Sequence, residues 1–465
     1  MSSAAVGSAN LLVQATLESL LANYPNRRDA KARTDRLLAA ALIECAEKGY
    51  SNTTVAGIAK RAKVSTASLY ASYKDRDALL VAAMELLFAI MAGDVIEVPV
   101  VADPVARVEQ LLLAHGEVYA QPLTAWLCRL HATLAMSGYP HLRGIGLQIF
   151  QGIDAFWRQF LADLVAQGHL AALDLDIAIP LLLGPVERCT IIAALGCGGN
   201  EDGRPALAAV ARHSAQMLFR LWDPAAPHSP VMTGASATEA LLGEAAASSL
   251  GPMGRLEEEL RRQPLRQTPE GQKDRIVLAA AAAAGSQSYS AISVQALAAL
   301  ARVSTATIYK HFRDKADLFT HALEGEFARQ TRPLAQGALQ AAEPDSTAAI
   351  YSLAAQALHA DWAWMHHLMM ASELSGSSRV AAVARQHRQI TEAHLAAVIA
   401  ARPGGDVLSA AQTALVVNFL SGSVERTGLL ALILFGEEEV NRRGLAVQAS
   451  VVSATLDVLI AAKTP

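Results

Sequence analysis

The chain is 465 residues long, just over half apolar, only 5% aromatic, and carries a formal net charge of −4. That length exceeds what one compact core holds, the Ala- and Leu-rich composition excludes a sheet-dominated protein, and the charge excludes a uniformly basic coat. Cys45, Cys128, Cys189 and Cys197 form no CxxC pair, so neither a disulfide framework nor a metal site is expected. No uncharged apolar run approaches the roughly 20 residues of a membrane span. The opening MSSAAVGSAN has no basic start followed by an apolar stretch. A soluble, cytoplasmic, all-α protein without cofactor is the expectation.

In chain order, residues 1–32 read as an extension that holds the amphipathic stretch LLVQATLESLLANY and a basic arm. Over 33–48, Leu37, Ala40 and Ala41 share one stripe at helical spacing, and Gly49 follows as a helix stop. Thr54 then sits as N-cap before VAGIAKRA, and Ser65 as N-cap of a second short helix with Leu69 and Tyr73 facing inward. Asp75 caps the next helix, with Arg76 just inside it. A helical body spans 93–223, with its last helices near 174–196 and 204–222. The proline-bearing DPAAPHSPVMTGASA stops the helical pattern and opens a linker over 224–270.

The pattern then starts again. VSTASLYASY at 64–73 returns as VSTATIYKHF at 303–312, an offset of 239 residues, and Leu37/Ile276, Ala40/Ala279, Tyr50/Tyr289, Val55/Val294 and Leu79/Leu318 keep the same offset. Downstream, LLLGPVER ending at Arg188 answers FLSGSVER ending at Arg426, and Trp126 answers Trp364, both 238 apart. The duplication therefore covers whole units. The second unit divides into 271–330, with Ser293 and Ser304 as the matching N-caps, and a body over 331–465.

Charge follows the repeat. Residues 27–76 hold eleven Lys and Arg against five acids, and 261–315 hold nine against three. Two windows of +6 inside a chain of −4 leave −16 on the remainder. Basic islands on an acidic scaffold suit two phosphate-facing surfaces. A short helix, a tight turn and a second short helix is the arrangement that lays the second helix in a DNA major groove.

The pattern AAxxxxxxGY followed by TVxxIAxxAxVSxxxLYxxYxxRxxLL resembles the N-terminal signature of TetR/AcrR-type transcription regulators, met at 37–80 and again at 276–319. The resemblance implies two helix-turn-helix heads, each followed by a helical ligand-binding and dimerisation half. It places Thr66, Ser68 and Tyr70 on the first recognition helix beside Ala71 and Ser72, and Thr305, Thr307, Tyr309, Lys310 and His311 on the second. Thr54, Ser65, Lys63 and Lys74 in the first head, and Ser293, Ser304 and Arg302 in the second, complete the candidate DNA contacts. Arg76 and Lys315, at a helix N-terminus, would pair a phosphate. Both copies depart from the family at the turn, where Lys63 and Arg302 replace a small residue. If positive φ is required there, each costs on the order of 1 kcal/mol.

The resemblance also implies that the last two helices of each body, about 174–196 with 204–222 and about 407–435 with 440–462, pair as a four-helix bundle within one chain. A monomeric pseudo-dimer on a pseudo-palindromic duplex operator follows, with a homodimer as the alternative. Candidate contacts for a small apolar or aromatic effector are Trp126, His131, Phe156 and Trp157 in the first body, and Trp362, Trp364, His366, His367, Met370 and Glu373 in the second. His366 and His367 point about 100° apart on a helix, which disfavours a shared metal. Stripes of this kind also suit plain core. No G-x-S-x-G, Walker loop or H-E-x-x-H is present, so catalysis is not expected. The expected function is an effector-responsive repressor; the alternative is a helical ligand-binding or protein-interaction module whose heads no longer read DNA.

Overall fold

The structure is a computed structural model that describes residues 17–22, 30–48, 53–91, 101–120, 140–190, 205–225, 258–262, 268–284, 292–325, 378–401 and 405–434, and all regular structure among them is helical. The first unit holds α1 (Ala30–Lys48), α2 (Val55–Ala62), α3 (Thr66–Ser72), α4 (Arg76–Met91), α5 (Pro104–Ala120), α6 (Pro140–Ala166), α7 (Leu175–Glu187) and α8 (Leu207–Leu221). The second holds α9 (Pro269–Ala284), α10 (Val294–Ala301), α11 (Thr305–His311), α12 over 315–325, α13 (Ser378–Ala400) and α14 (Ala410–Leu434).

Each head closes on its own core. In the first, Leu37 and Leu42 of α1, Ile58 of α2, Leu69 of α3 and Leu79, Leu80 and Met84 of α4 meet, and Leu17 from the leading segment is fully buried among them. In the second, Ile276, Leu297, Ile308, Phe312, Leu318 and Phe319 are buried. Each such side chain contributes roughly 1.5–3 kcal/mol by leaving water. Leu260 is buried ahead of the second head, and its carbonyl accepts from Arg275 Nη1 at 3.0 Å. The leading segments of the two units thus serve their heads alike.

The bodies share one core. Leu112, Trp157, Leu161, Leu182, Leu183 and Leu218 of the first unit pack in the same cluster as Ile399, Val416, Phe419 and Leu420 of the second. At its centre α7 crosses α14 where Gly184 faces Gly422. A Cβ on Gly422 would stand 2.5 Å from the Gly184 carbonyl oxygen, and one on Gly184 would overlap the Gly422 carbonyl. These two glycines are the matching positions of the 238-residue repeat. Equivalent residues touching each other mark a two-fold axis, here an internal, approximate one. Only residues without side chains allow the two backbones so close.

Polar groups ring the crossing. Arg426 Nε meets Glu187 Oε2 at 2.9 Å, Asn418 Nδ2 donates to the Pro185 carbonyl at 3.1 Å, and Arg188 Nη2 reaches Glu392 at 2.8 Å. Of the expected four-helix bundle, α7, α8 and α14 are packed together; residues 440–462 lie outside the described residues. Helix α7 runs as α-helix to Glu187 and continues as a π turn over 188–190; the rest of the helix expected towards 196 lies outside the described residues.

Candidate nucleic-acid interface

Four hydroxyls build the two helix-turn-helix frames. Thr54 Oγ1 accepts from Gly57 N, Ser65 Oγ from Ser68 N, Ser293 Oγ from Ala296 N and Ser304 Oγ from Thr307 N, each at 3.0 Å. Each cap stabilises its helix by about 1 kcal/mol. Ser65 and Ser68 hydroxyls also lie 2.8 Å apart, as do those of Ser304 and Thr307. Ser65 and Ser304 thus fix the start of the recognition helix in each head.

The turn between the helices demands a left-handed residue in both copies. Lys63 stands at φ 55° and Arg302 at φ 54°. The chain reverses through bonds from Lys63 N to Ala59 and Lys60 carbonyls, and from Arg302 N to those of Ala298 and Ala299. Val64 N to Ala59 O at 3.0 Å and Val303 N to Ala298 O at 2.9 Å complete the motif. The side chains of Lys63 and Arg302 are exposed at the start of the recognition helix.

On α3 and α11 a single apolar residue, Leu69 or Ile308, turns inward. Tyr70 and Tyr309 turn outward, 56% and 57% exposed. Thr66, Ser68, Ala71 and Ser72 are exposed on the first helix; on the second, Lys310 is exposed and Thr305, Thr307 and His311 are half-buried. His311 Nε2 itself is enclosed, without a hydrogen-bond partner among the described residues.

Much of the basic charge is structural. Arg36 Nε donates to the Ala62 carbonyl at 3.0 Å and its equivalent Arg275 to Ala301 at 2.7 Å, so both buried guanidiniums cap the C-terminal end of the helix before the turn. Burial pushes Arg275 down, with Arg302 adding to the effect. Arg61 meets buried Glu44 at 2.9 Å. Arg76 Nη1 donates to the Thr53 carbonyl at 3.3 Å and Lys315 Nζ to the equivalent Ile292 carbonyl at 2.9 Å. Burial also pushes the Lys315 ammonium down. These two side chains brace α4 and α12 against the segment before α2 and α10. Lys60, Lys63 and Lys74 remain outward in the first head, with Lys74 3.9 Å from Asp75. Arg302, Lys310 and Arg313 do so in the second, with Arg313 3.3 Å from Asp317.

Of the candidate effector contacts, Phe156 and Trp157 lie on α6 in the shared core. Trp157 packs edge-on against Phe156, Phe160 and His115, at 5.7, 5.8 and 6.3 Å between ring centroids. Its indole N–H is enclosed with no hydrogen-bond partner among the described residues. Trp126, His131, Trp362, Trp364, His366, His367, Met370 and Glu373 lie outside the described residues.

Sequence reasoning passed over His115 and Glu187. His115 Nε2 lies 3.2 Å from Glu187 Oε1, linking the aromatic cluster to the ion pair at the pseudo-two-fold axis. Burial pushes the Glu187 carboxyl up, but Arg426 and His115 together outweigh it and hold it below the ordinary carboxylate range. The signal was present in the repeated G-x-V-E-R. In the sequence that repeat marks duplication but does not show a contact. Among the described residues no group of three metal-ligating side chains gathers, and no helix is long and apolar enough to cross a membrane.

Two capped helix-turn-helix heads on fused helical bodies define a DNA-binding transcriptional regulator. The family model for bacterial regulatory proteins of the tetR family matches residues 37–83 and again 276–322. The chain therefore carries two TetR-type DNA-binding heads in tandem. No curated protein matches it. Solved structures similar to parts of it include the transcriptional regulator FadR from Bacillus subtilis in complex with stearoyl-CoA, at 19% identity over 39% of this chain and 96% of that one with a TM-score of 0.30. Others are a putative TetR-family regulator from Mesorhizobium loti, at 18% identity over 42% and 99% with a TM-score of 0.33, and the fatty acid degradation regulator FadR from Bacillus halodurans, at 18% over 42% and 96% with 0.31.

Proposed function

We propose that the protein is an effector-responsive repressor that grips one duplex operator with both heads of a single chain. The observation that carries this reading is the joint one: two exposed recognition helices on matching capped frames, borne by bodies that meet at equivalent glycines. A two-fold dimer presents its recognition helices to successive major-groove faces about 34 Å apart; here both units are covalently linked, which replaces association by an effective concentration in the millimolar range. Support for an effector comes from Trp157, a buried donor without a partner among the described residues, beside a histidine that hydrogen-bonds to the carboxylate at the axis. A small, largely apolar or aromatic molecule with one acceptor suits that surrounding.

The test is binding of the full chain to duplexes selected from a random pool, measured by mobility shift across a salt titration. A specific complex whose affinity falls as salt rises is expected. No specific complex at low salt contradicts the reading.

A further inference from the structure

The recognition helices share their length, their caps and an equally exposed tyrosine, yet their outward chemistry differs. Where α3 carries Ala71 and Ser72, α11 carries Lys310 and His311. The preceding helices differ in the opposite sense: α2 carries exposed Lys60 and then Arg61, where α10 has Ala299 and Leu300. Both helices are flanked by cations, Lys63 and Lys74 around α3, Arg302 and Arg313 around α11. In a helix-turn-helix, side chains on the exposed face of the recognition helix reach base edges, while cations outside the helix pair with phosphates. Lys310 lies in the last turn of α11, on the exposed side next to Tyr309, and no ion pair engages it among the described residues.

We propose that the two heads divide the work of recognition: Lys310 of the second head reads a guanine edge, while the first head, whose recognition helix bears no charge, grips phosphates with help from Lys60. The operator is then asymmetric, one half-site strongly specified and the other degenerate. Lysine donates to guanine O6 and N7, both acceptors in the major groove. This inference rests on the regulator reading above.

The experiment is selection of bound duplexes by the full chain and by its Lys310→Ala, Lys60→Ala and Ala71→Lys variants, all at exposed positions. The wild-type pool should converge on one conserved half-site containing a guanine and one degenerate half-site. Lys310→Ala should lose preference at that base, weakening binding to the selected site by roughly 5- to 150-fold while sparing duplexes that lack the guanine. Lys60→Ala should weaken all sequences alike and flatten the salt slope by about one. Ala71→Lys should sharpen the degenerate half-site. A symmetric wild-type site, or a uniform loss on Lys310→Ala, overturns the division of work and leaves the regulator reading standing. A pool that yields no site overturns both.

Discussion

In the first head, α1 buries Glu44 against Arg61 of α2, and Gly57 leaves the space that the carboxylate fills. In the second head the equivalent positions are Ala283, Leu300 and Ala296, an apolar set with no ion to satisfy. The second head is instead tied to its body by Asp317 of α12, which accepts from Arg379 of α13 at 2.9 Å, where the first head has Ala78. The backbone N–H of Arg313 is the largest influence that holds the Asp317 carboxyl well below the usual range; burial opposes it, and the Arg313 and Arg379 guanidiniums reinforce it. What stayed constant through duplication fixes the backbone: four capping hydroxyls, two left-handed turn residues, the guanidinium on the helix end, and the facing glycines. What changed is where ions sit. A buried ion pair and a well-packed apolar set can be close to equal in stability, so such exchanges leave the fold intact while moving charge across the outer surface.

The glycine pair gives the largest expected effect. Gly184→Val and Gly422→Val should each lower stability by about 3 kcal/mol or more, because the new side chain meets opposing backbone that cannot yield. Thermal unfolding of the two variants should show comparable losses; a large loss from one and none from the other would break the equivalence of the units.

Acid comes next, and between pH 7 and 4 it acts mainly through His213. His213 of α8 is buried with its ring edge-on to Phe419 of α14 at 5.7 Å, and burial, with Arg220 adding to it, pushes the imidazole from 6.5 down to about 4. Between those values the unfolded chain binds a proton that the folded chain refuses, so stability is full above 6.5 and falls as pH drops towards 4, by roughly 3 kcal/mol. Glu187, held low, contributes above its unfolded value of 4.5 and is lost as pH falls through its lower folded value. Position 451, the counterpart of His213, is valine. Denaturant melts from pH 7 to 4 should show the slope, and His213→Phe should flatten it.

Arg61→Ala removes a partner of buried Glu44 and should cost on the order of 2 kcal/mol. Leu300→Ala trims a side chain 39% exposed and should cost less. Amide exchange on α2 against α10 reads the difference, and equal effects would show that the ion pair does not distinguish the heads. Smallest, and of opposite sign, Lys63→Gly and Arg302→Gly relieve φ values near 55° and should each stabilise by about 1 kcal/mol, measured as a rise in Tm.

The fold was largely legible because duplication prints the same frame twice. The hydroxyl caps and the inward Leu69 and Ile308 followed from spacing, and the outward tyrosines from the family resemblance. The direction of charge did not follow from its amount. Arg36, Arg61, Arg76 and Lys315 all fall in basic windows, yet each is engaged with the protein. Arg36 shares the face of Ala40 four residues on, a helical spacing that points it inward. Gly184 and Gly422 stood inside the repeated motif, but a sequence does not say which helix faces lie across an axis.

The central claim is tested most directly by the mass of the DNA complex. Sedimentation equilibrium of the full chain with a selected operator duplex should give one chain of 49.1 kDa per duplex, with protection of both half-sites. Two chains on one duplex, or protection of a single half-site by one chain, would contradict it.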